Sequence, residues 1–452
     1  MVAAGTPSPL PAPGVVTAIR GPALTFRGDP FAGGPEAVTV HEPDAIIVME
    51  GGRIARFGPA AEIAPLLPPG LDVADYGRDS LILPGFIDCH VHYPQTQIIG
   101  SYGRQLLDWL NKYTFVAEQQ FADPAHADAV AKVYLAENLR NGITTACVYC
   151  TVHPHSADIL FGQAERLGLR LIAGKVMMDR NAPEALSDTA QSSYDDTKAL
   201  IGKWHGRGRL GYAITPRYPG SSTPEQLATA GALRAEFPDC HLQSHISENR
   251  QEIAWMAELF PERKNYLDIF DHYGLLGVRA ILGHGIHLDE AELRRIAATG
   301  TAIAHCPTSN LFLGSGCFDM ARTRQAGARV GLATDLGAGT TFSVLGTLGE
   351  AYKVAQLGGH ALSPHHAFYL ATRGSAHALY LDDRIGSIAA GMEADLAVLD
   401  LKSTPIIDFR MRHAGDLAEA LFIQMTMGDD RAIQATYVAG KRVYQRPALL
   451  HG

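Results

Sequence analysis

His90 and His92 stand two residues apart, at the point where the run LILPGFIDCHVHYPQ stops being apolar. On a strand, residues i and i+2 share a face, so the two imidazoles lie side by side while Cys89 and Val91 face the other way. Neutral imidazoles converging on one point make half of a metal site. Taken alone, the pair reads equally well as one hydrogen-bonded core histidine and one solvated histidine. Other metal-ligating residues must fall at matching places to separate the two readings. His245 and Glu248 end CHLQSHISEN, His284 ends AILGH, and Asp335 ends RVGLATD, each after a short apolar run. Any one of these has a mundane explanation, because strand ends are polar anyway. Their joint placement points to a metal centre.

Such a placement requires elements that bring distant strand ends together. Counting LILPGFIDCHVH first, the apolar runs TTACVYCT, RLIAGKVMMDR, RLGYAITPRY, CHLQSHISEN, AILGHGIHL, TAIAHCPTSN and RVGLATDLG complete eight. Helical stretches such as PAHADAVAKVYLAENLRNG and DEAELRRIAATG lie between them, each ending in Gly as helices often do. Eight strand–helix repeats fit an α/β parallel (β/α)8 TIM-like barrel of ~250 residues with insertions, whose catalytic residues project from the C-terminal strand ends. A doubly wound sheet is the alternative, but no G-x-G-x-x-G follows the first strand and no P-loop occurs. Before and after the barrel run, the pattern is short alternating strands with Gly turns, as in AIIVMEGGRIARFG and VAGKRVYQ. These predict a small composite β-sandwich domain built from both chain ends. The predicted boundaries are a flexible Pro-rich tail over 1–14, sandwich segments over 15–83 and 386–452, and the catalytic barrel over 84–385.

Several residues that could do chemistry are placed outside the site. His153 and His155 flank a proline on a loop, His365 and His366 precede a helix and face different ways, and His287 is read as a supporting or surface residue. Cys147 and Cys150 form a C-x-x-C whose spacing sends them to opposite faces of a strand, with no second pair to complete a zinc cluster, so both read as structural.

The chain has 452 residues, 46% of them hydrophobic, and a formal charge of −9 from 38 basic and 47 acidic residues. No Lys/Arg-rich run is present, which argues against nucleic acid and for a small or neutral substrate. No apolar run is long enough to span a membrane, and the opening MVAAGTPSPLPAPG lacks the pattern of a signal peptide. The six cysteines are not spaced as a disulfide framework, which points to a reducing cytoplasm.

The ordered series PGFIDCHVH, HISEN, GHG, HCPTSN and ATD resembles the motif series of the amidohydrolase superfamily, in its mononuclear deaminase branch. The similarity runs from about Leu81 to Leu348, and HVHYPQ, TPRY, SHISENRQEI and HCPTSNLFLGSG are similar to the guanine-deaminating members of that branch. The resemblance implies one Zn2+ per chain held by His90, His92, His245 and Asp335. It makes His284 a neighbour that orients the attacking water, beside the metal or on it, and Glu248 the proton shuttle. It assigns Gln95 and Arg217 to recognition of a purine base and Tyr218, where many relatives have Phe, to an aromatic position beside it. His92, His245, Glu248 and Asp335 would also face the substrate, and Asp335 would take part in catalysis. Three imidazoles and a carboxylate leave zinc a position for water, whose pKa falls toward ~7. The implied reaction is hydrolysis of guanine to xanthine and ammonia, in a homodimer. A relative acting on an adenosine derivative, a pterin or an s-triazine would keep the metal set and change the pocket, whereas a non-catalytic scaffold would be expected to have lost ligands. The other zinc deaminase signature, H-x-E with P-C-x-x-C, is absent. Arg217 ends strand four where a carboxylated lysine would bridge two metals, so one metal is the simpler count; Lys175 on strand three is a weaker candidate for such a bridge.

Overall fold

The structure is a computed structural model that describes residues 16–103 and 105–447; the segment read as a flexible tail, 1–14, lies outside the described residues. Eight parallel strands form the barrel: Phe86–His92, Ile143–Tyr149, Arg170–Gly174, Leu210–Pro216, His241–Ile246, Ala280–His284, Ala302–His305 and Arg329–Leu332, each hydrogen-bonded to the next in chain order. The two helices read from the sequence form where their end signals put them. Pro124–Arg140 is capped by Asp123, and Glu290–Thr299 starts on a reciprocal Asp289–Glu292 capping box and stops at Gly300, whose φ of 77° a side-chain-bearing residue adopts only with strain.

The first and last strands close the barrel through the Asp88 side chain and a backbone contact rather than a ladder. Asp88 is buried on strand one and accepts from the Thr334 amide at 3.0 Å and from its hydroxyl, while the Asp335 amide donates to the His90 carbonyl at 2.9 Å. Burial pushes the Asp88 carboxyl up to about 7, against the pull of those Thr334 hydrogen bonds. Strand one is irregular in its pairing between Asp88 and Val91. Cys89 and Val91, expected on one face, therefore join different cores: Cys89 belongs to the cluster of Cys147, Ile172 and Ala213, and Val91 to the larger one that holds helix residues such as Tyr134 and Leu160. His90 and His92 keep their neighbourhood, with ring centroids 5.3 Å apart.

Both chain ends build the second sheet. Its strands run in the order Lys441–Gln445, Ile433–Val438, Leu396–Asp400, Ser80–Pro84, Val16–Phe26, Thr39–Glu50 and Arg53–Pro59, with Val73–Asp75 added beside Val16–Phe26. The ends meet where Leu396 pairs with Pro84, antiparallel. LILPGFIDCHVH, counted as one run from the sequence, is thus two strands: Ser80–Pro84 belongs to this sheet, and the barrel strand begins at Phe86. The Gly-containing turns are two-residue hairpins, Gly51-Gly52 and Ala439-Gly440, with φ between 47° and 80° at all four positions, which tight turns matching strand twist require.

A buried ion cluster joins sheet to barrel. Arg170, opening barrel strand three, makes a two-point contact with Glu393. Arg209, just before strand four, reaches Glu393 at 3.0 Å and forms a second pair with Asp395. Burial raises the Glu393 carboxyl, and the Arg170 hydrogen bond with the two guanidinium charges outweighs it, so the group sits below its usual value. Removing one partner of a buried pair strands the other, so Glu393→Gln is expected to cost ~3–5 kcal/mol in chemical unfolding at neutral pH. Because the folded-state pKa is depressed, that contribution is full above the unfolded carboxylate value of 4.5 and disappears as the pH falls through the folded value. The gap between wild type and variant should therefore narrow in acid; a constant gap would contradict the ion-pair account.

Candidate active site

Each ligand candidate sits at the C-terminal end of its barrel strand because the apolar alternation stops there. His90 and His92 end strand one, His245 is the penultimate residue of strand five, His284 ends strand six, and Asp335 follows strand eight. His284 and Asp335 hold φ of 71° and 47°, left-handed backbone that non-glycine residues rarely adopt, which turns their side chains at the point where the strands end. Gly283 has a different purpose. A Cβ built there would lie 2.6 Å from His90 Cε1, so only glycine lets the His90 ring occupy its place. Gly283→Ala is expected to displace His90 and lower metal content while circular dichroism stays native; full metal occupancy in the variant would contradict this.

The ligand-bearing atoms converge. His92 Nε2 and His245 Nε2 are 3.0 Å apart, and Asp335 Oδ1 lies 3.5 Å from His90 Nε2 and 3.7 Å from His92 Nε2. Ligand atoms around a tetrahedral zinc with bonds of ~2.0–2.1 Å sit roughly 3.3 Å apart, within the span of these separations. The protonation pattern also suits a cation. His245 Nδ1 lies 2.7 Å from the Arg217 carbonyl, a contact only an N–H can make, so its Nε2 carries the lone pair. His90 Nε2 is buried with no hydrogen-bond partner, an orphan that a metal ion would satisfy. Burial, with the Arg217 charge and the neighbouring histidines, holds His92 well below its usual pKa, and burial with His90 and His284 does the same to His245, so both stay neutral.

His284 and Glu248 flank this group. His284 Nδ1 faces Asn310 Oδ1 at 2.9 Å, leaving Nε2 3.5 Å from Glu248 Oε2 and 3.8 Å from Asp335 Oδ2. Burial lowers the His284 pKa, but the Glu248 and Asp335 carboxylates outweigh it, and the imidazole sits above its ordinary value. Burial pushes Glu248 up to about 7. Ser315 donates to Glu248 Oε1 at 3.0 Å, so Oε2 is the oxygen turned toward His284.

A cleft opens over these groups, lined by His92, His245, Glu248, His284 and Asp335, by Gln95, Arg217 and Tyr218, and by the apolar side chains Leu106, Trp109, Leu110, Leu313 and Ala338. Tyr218 is buried beside Trp255, and burial raises its hydroxyl to about 12, so it remains neutral. Arg217, which the resemblance assigns to base recognition, has its Nη1 engaged by Glu118, a buried carboxylate on helix Phe115–Gln119 that no sequence pattern singles out. Glu252 was also missed, although N-x-x-E is a capping signature: it accepts from the amides of Glu248 and Asn249 and fixes the turn that carries Glu248. Asn310 and Ser315 lie within HCPTSNLFLGSG, whose resemblance does not by itself assign them these contacts with His284 and Glu248.

The remaining candidates fall away from the centre. Lys175 is fully buried, paired with Asp188 and donating to the Val176 carbonyl at 3.2 Å, which occupies the amine that a bridging carbamate would need. His155 faces the Phe121 carbonyl, and His287 faces the Ser315 carbonyl behind Glu248. Cys306 brings its sulfur within 4.8 Å of ligand atoms of His90, His284 and Asp335. Burial holds its thiol well above the ordinary value and it contacts the Ala304 carbonyl, so it remains a neutral filler.

A parallel barrel with histidines and an aspartate at its C-terminal strand ends defines a metal-dependent hydrolase, and residues 81–443 match the amidohydrolase family; the chain belongs to it. Its relatives narrow the class. It is 48% identical to the guanine deaminase of Escherichia coli over 89% of this chain and 92% of that protein. The E. coli guanine deaminase structure superposes with a TM-score of 0.93 at 46% identity, covering 95% of this chain and all of that one. The guanine deaminase of C. acetobutylicum, solved with guanine bound in its active site, superposes with a TM-score of 0.85 at 29% identity, covering 95% of this chain and all of that one.

Proposed function

We propose that this chain hydrolyses guanine to xanthine and ammonia at one Zn2+ held by His90, His92, His245 and Asp335. The observation that carries the reading is the cleft itself. It sets these converging donor atoms beside a proton-carrying glutamate and beneath the Gln95–Arg217–Tyr218 wall. When bound, zinc acts as a Lewis acid that makes a water nucleophilic at neutral pH. The chain's own residues do the rest. Glu248 Oε2 takes a proton from water as the water oxygen bonds to the amino-bearing carbon, and delivers that proton to the adjacent ring nitrogen. It then passes the new hydroxyl's proton to the amino group, so that the C–N bond breaks and ammonia leaves as the carbonyl forms, a role suited to a carboxyl near neutrality. His284 Nε2 and Asp335 Oδ2 face the same space and hold the water in line. Gln95 and Arg217 orient the base, Tyr218 lies beside it, and Leu106, Trp109 and Leu313 exclude bulk water.

Ammonia release from a panel of bases tests the reading. Guanine is expected to be converted with a kcat/KM up to ~10,000-fold above that of adenine, cytosine, nucleosides or an s-triazine, because buried polar atoms are left unpaired by the wrong ring. Turnover of one of those with guanine inert would overturn the substrate assignment. We further read the enzyme as a cytoplasmic homodimer. All six cysteines are free thiols, as a reducing compartment keeps them, and Ile406 and Phe409 lie exposed on helix Pro405–Met411, available for contact with a second copy. Among the described residues no helix is long and apolar enough to cross a membrane. Sedimentation of the purified chain at the monomer mass would rule out the dimer.

A further inference from the structure

Behind the cleft wall, Glu118 is 1% exposed and does not line the cleft, yet it touches both polar residues of that wall. Its Oε1 and Oε2 each lie 2.9 Å from Arg217 Nη1, and Oε1 also accepts from Gln95 Nε2 at 3.2 Å. An ionised carboxylate accepts and never donates. The Gln95 amide, which could otherwise present either end, must therefore turn its NH2 group to Glu118, which leaves its oxygen as the end that can accept from a ligand in the cleft it lines. No protein donor reaches that oxygen among the described residues. Gly337 lies against the same side chain: a Cβ there would meet Gln95 Oε1 at 2.3 Å and Gln95 Cβ at 2.4 Å, so a glycine is what leaves the amide its place. Arg217 meanwhile gives Nη1 to Glu118 and keeps its other N–H groups for a ligand, with its charge already balanced.

We propose that Glu118 is a positioning residue that sets the donor–acceptor pattern of the base pocket. It fixes Gln95 as an acceptor, leaves Arg217 as a donor and neutralises the guanidinium charge, so the pocket takes a neutral ring with an N–H donor next to a carbonyl acceptor. This rests on the reading of the chain as a deaminase of guanine, which presents such an N–H and carbonyl side by side. The purine 2,6-diaminopurine keeps guanine's reacting amino group but replaces that edge with a bare ring nitrogen and a second amino group, and so reads the pattern alone. Replacing Glu118 by Gln supplies an amide that can donate, so the Gln95 amide is free to turn over.

The test compares wild type, Glu118→Gln and Glu118→Asp with guanine and 2,6-diaminopurine as substrates. It measures kcat, KM, zinc content and thermal midpoint, and repeats Glu118→Gln in a Gln95→Ala background. Expected results for Glu118→Gln are a KM for guanine raised tenfold or more with kcat changed far less, and a guanine-to-diaminopurine ratio of kcat/KM that falls at least tenfold at wild-type zinc content. Asp keeps the charge but is too short to reach both partners, so it should shift KM and the ratio in the same direction by a smaller factor. It also decides the matter if the Gln variant does not fold. In the Gln95→Ala background, Glu118→Gln should change the ratio by no more than about half its logarithmic effect in wild type, because part of what Glu118 orients is gone. KM and ratio within twofold of wild type in both single variants, or full additivity with Gln95→Ala, would overturn the proposal. A wild-type chain that releases no ammonia from guanine would instead overturn the reading on which it rests.

Discussion

Glu248→Gln protein is expected to purify with its full zinc content and to turn over guanine ~100- to 10,000-fold more slowly, the loss typical when a proton carrier is removed from a site otherwise intact. The amide keeps the size of the side chain and its contact with Ser315, but it cannot accept a proton at Oε2, the atom turned toward His284. Stability should not fall with activity. Burial holds the Glu248 carboxyl at about 7 against an ordinary 4.5, so the ionised form is disfavoured by folding at neutral pH, and a neutral amide removes that cost. The acid limb of the pH–rate profile, which reports a base that must be free of its proton, should flatten in the variant. Loss of zinc from the Gln variant would make Glu248 a ligand instead, and undiminished turnover would move the shuttle to another group.

His92→Ala is expected to lose metal and activity together. Even partners that only orient metal ligands cost ~10- to 100-fold in affinity when removed, and a ligand itself should cost more. The control is another histidine on a ligand-bearing strand. Strand five begins at His241 and carries His245 near its other end. His241 faces the Leu379 carbonyl at 2.8 Å, and burial lowers it to about 4, so it is a neutral hydrogen-bonded core residue. His241→Ala should lower the unfolding midpoint while stoichiometric zinc remains, whereas His92→Ala should lose zinc and unfold near the midpoint of metal-free wild type. Equal zinc in the two variants would refute the assignment of strand one.

The contrast along strand five shows what was legible in the sequence. His245 and His241 both sit in an apolar run, and only the barrel reading, which favours the C-terminal strand end, separates them. The same reading puts His284 and Asp335 at strand ends from the sequence alone, because where an apolar run stops is a local property. What stayed hidden depends on partners remote along the chain. Glu118 lies on a short helix with no motif around it, and its importance comes from meeting Arg217, 99 residues away. Lys175, a weak candidate for a bridging group on sequence alone, is committed to Asp188, a partner that no local pattern reveals. LILPGFIDCHVH carried two readings at once, since the expected domain boundary after residue 83 cuts it while its unbroken apolar character made it count as a single barrel strand.

The closure of the barrel by Asp88 and Thr334 has a kinetic consequence. The two residues are 246 positions apart in sequence, and His90 and Asp335 lie directly beside them. Contacts of such long range form late, after the intervening chain has lost its freedom. The donor set is therefore complete only once the last strand docks on the first, and partly folded chains present at most part of it. Zinc added to a refolding mixture should leave the early rise of secondary structure unchanged and stabilise only the final species. The metal would then act as a latch on the finished ring, slowing the departure of the last strand, and would not serve as a nucleus around which the ring assembles.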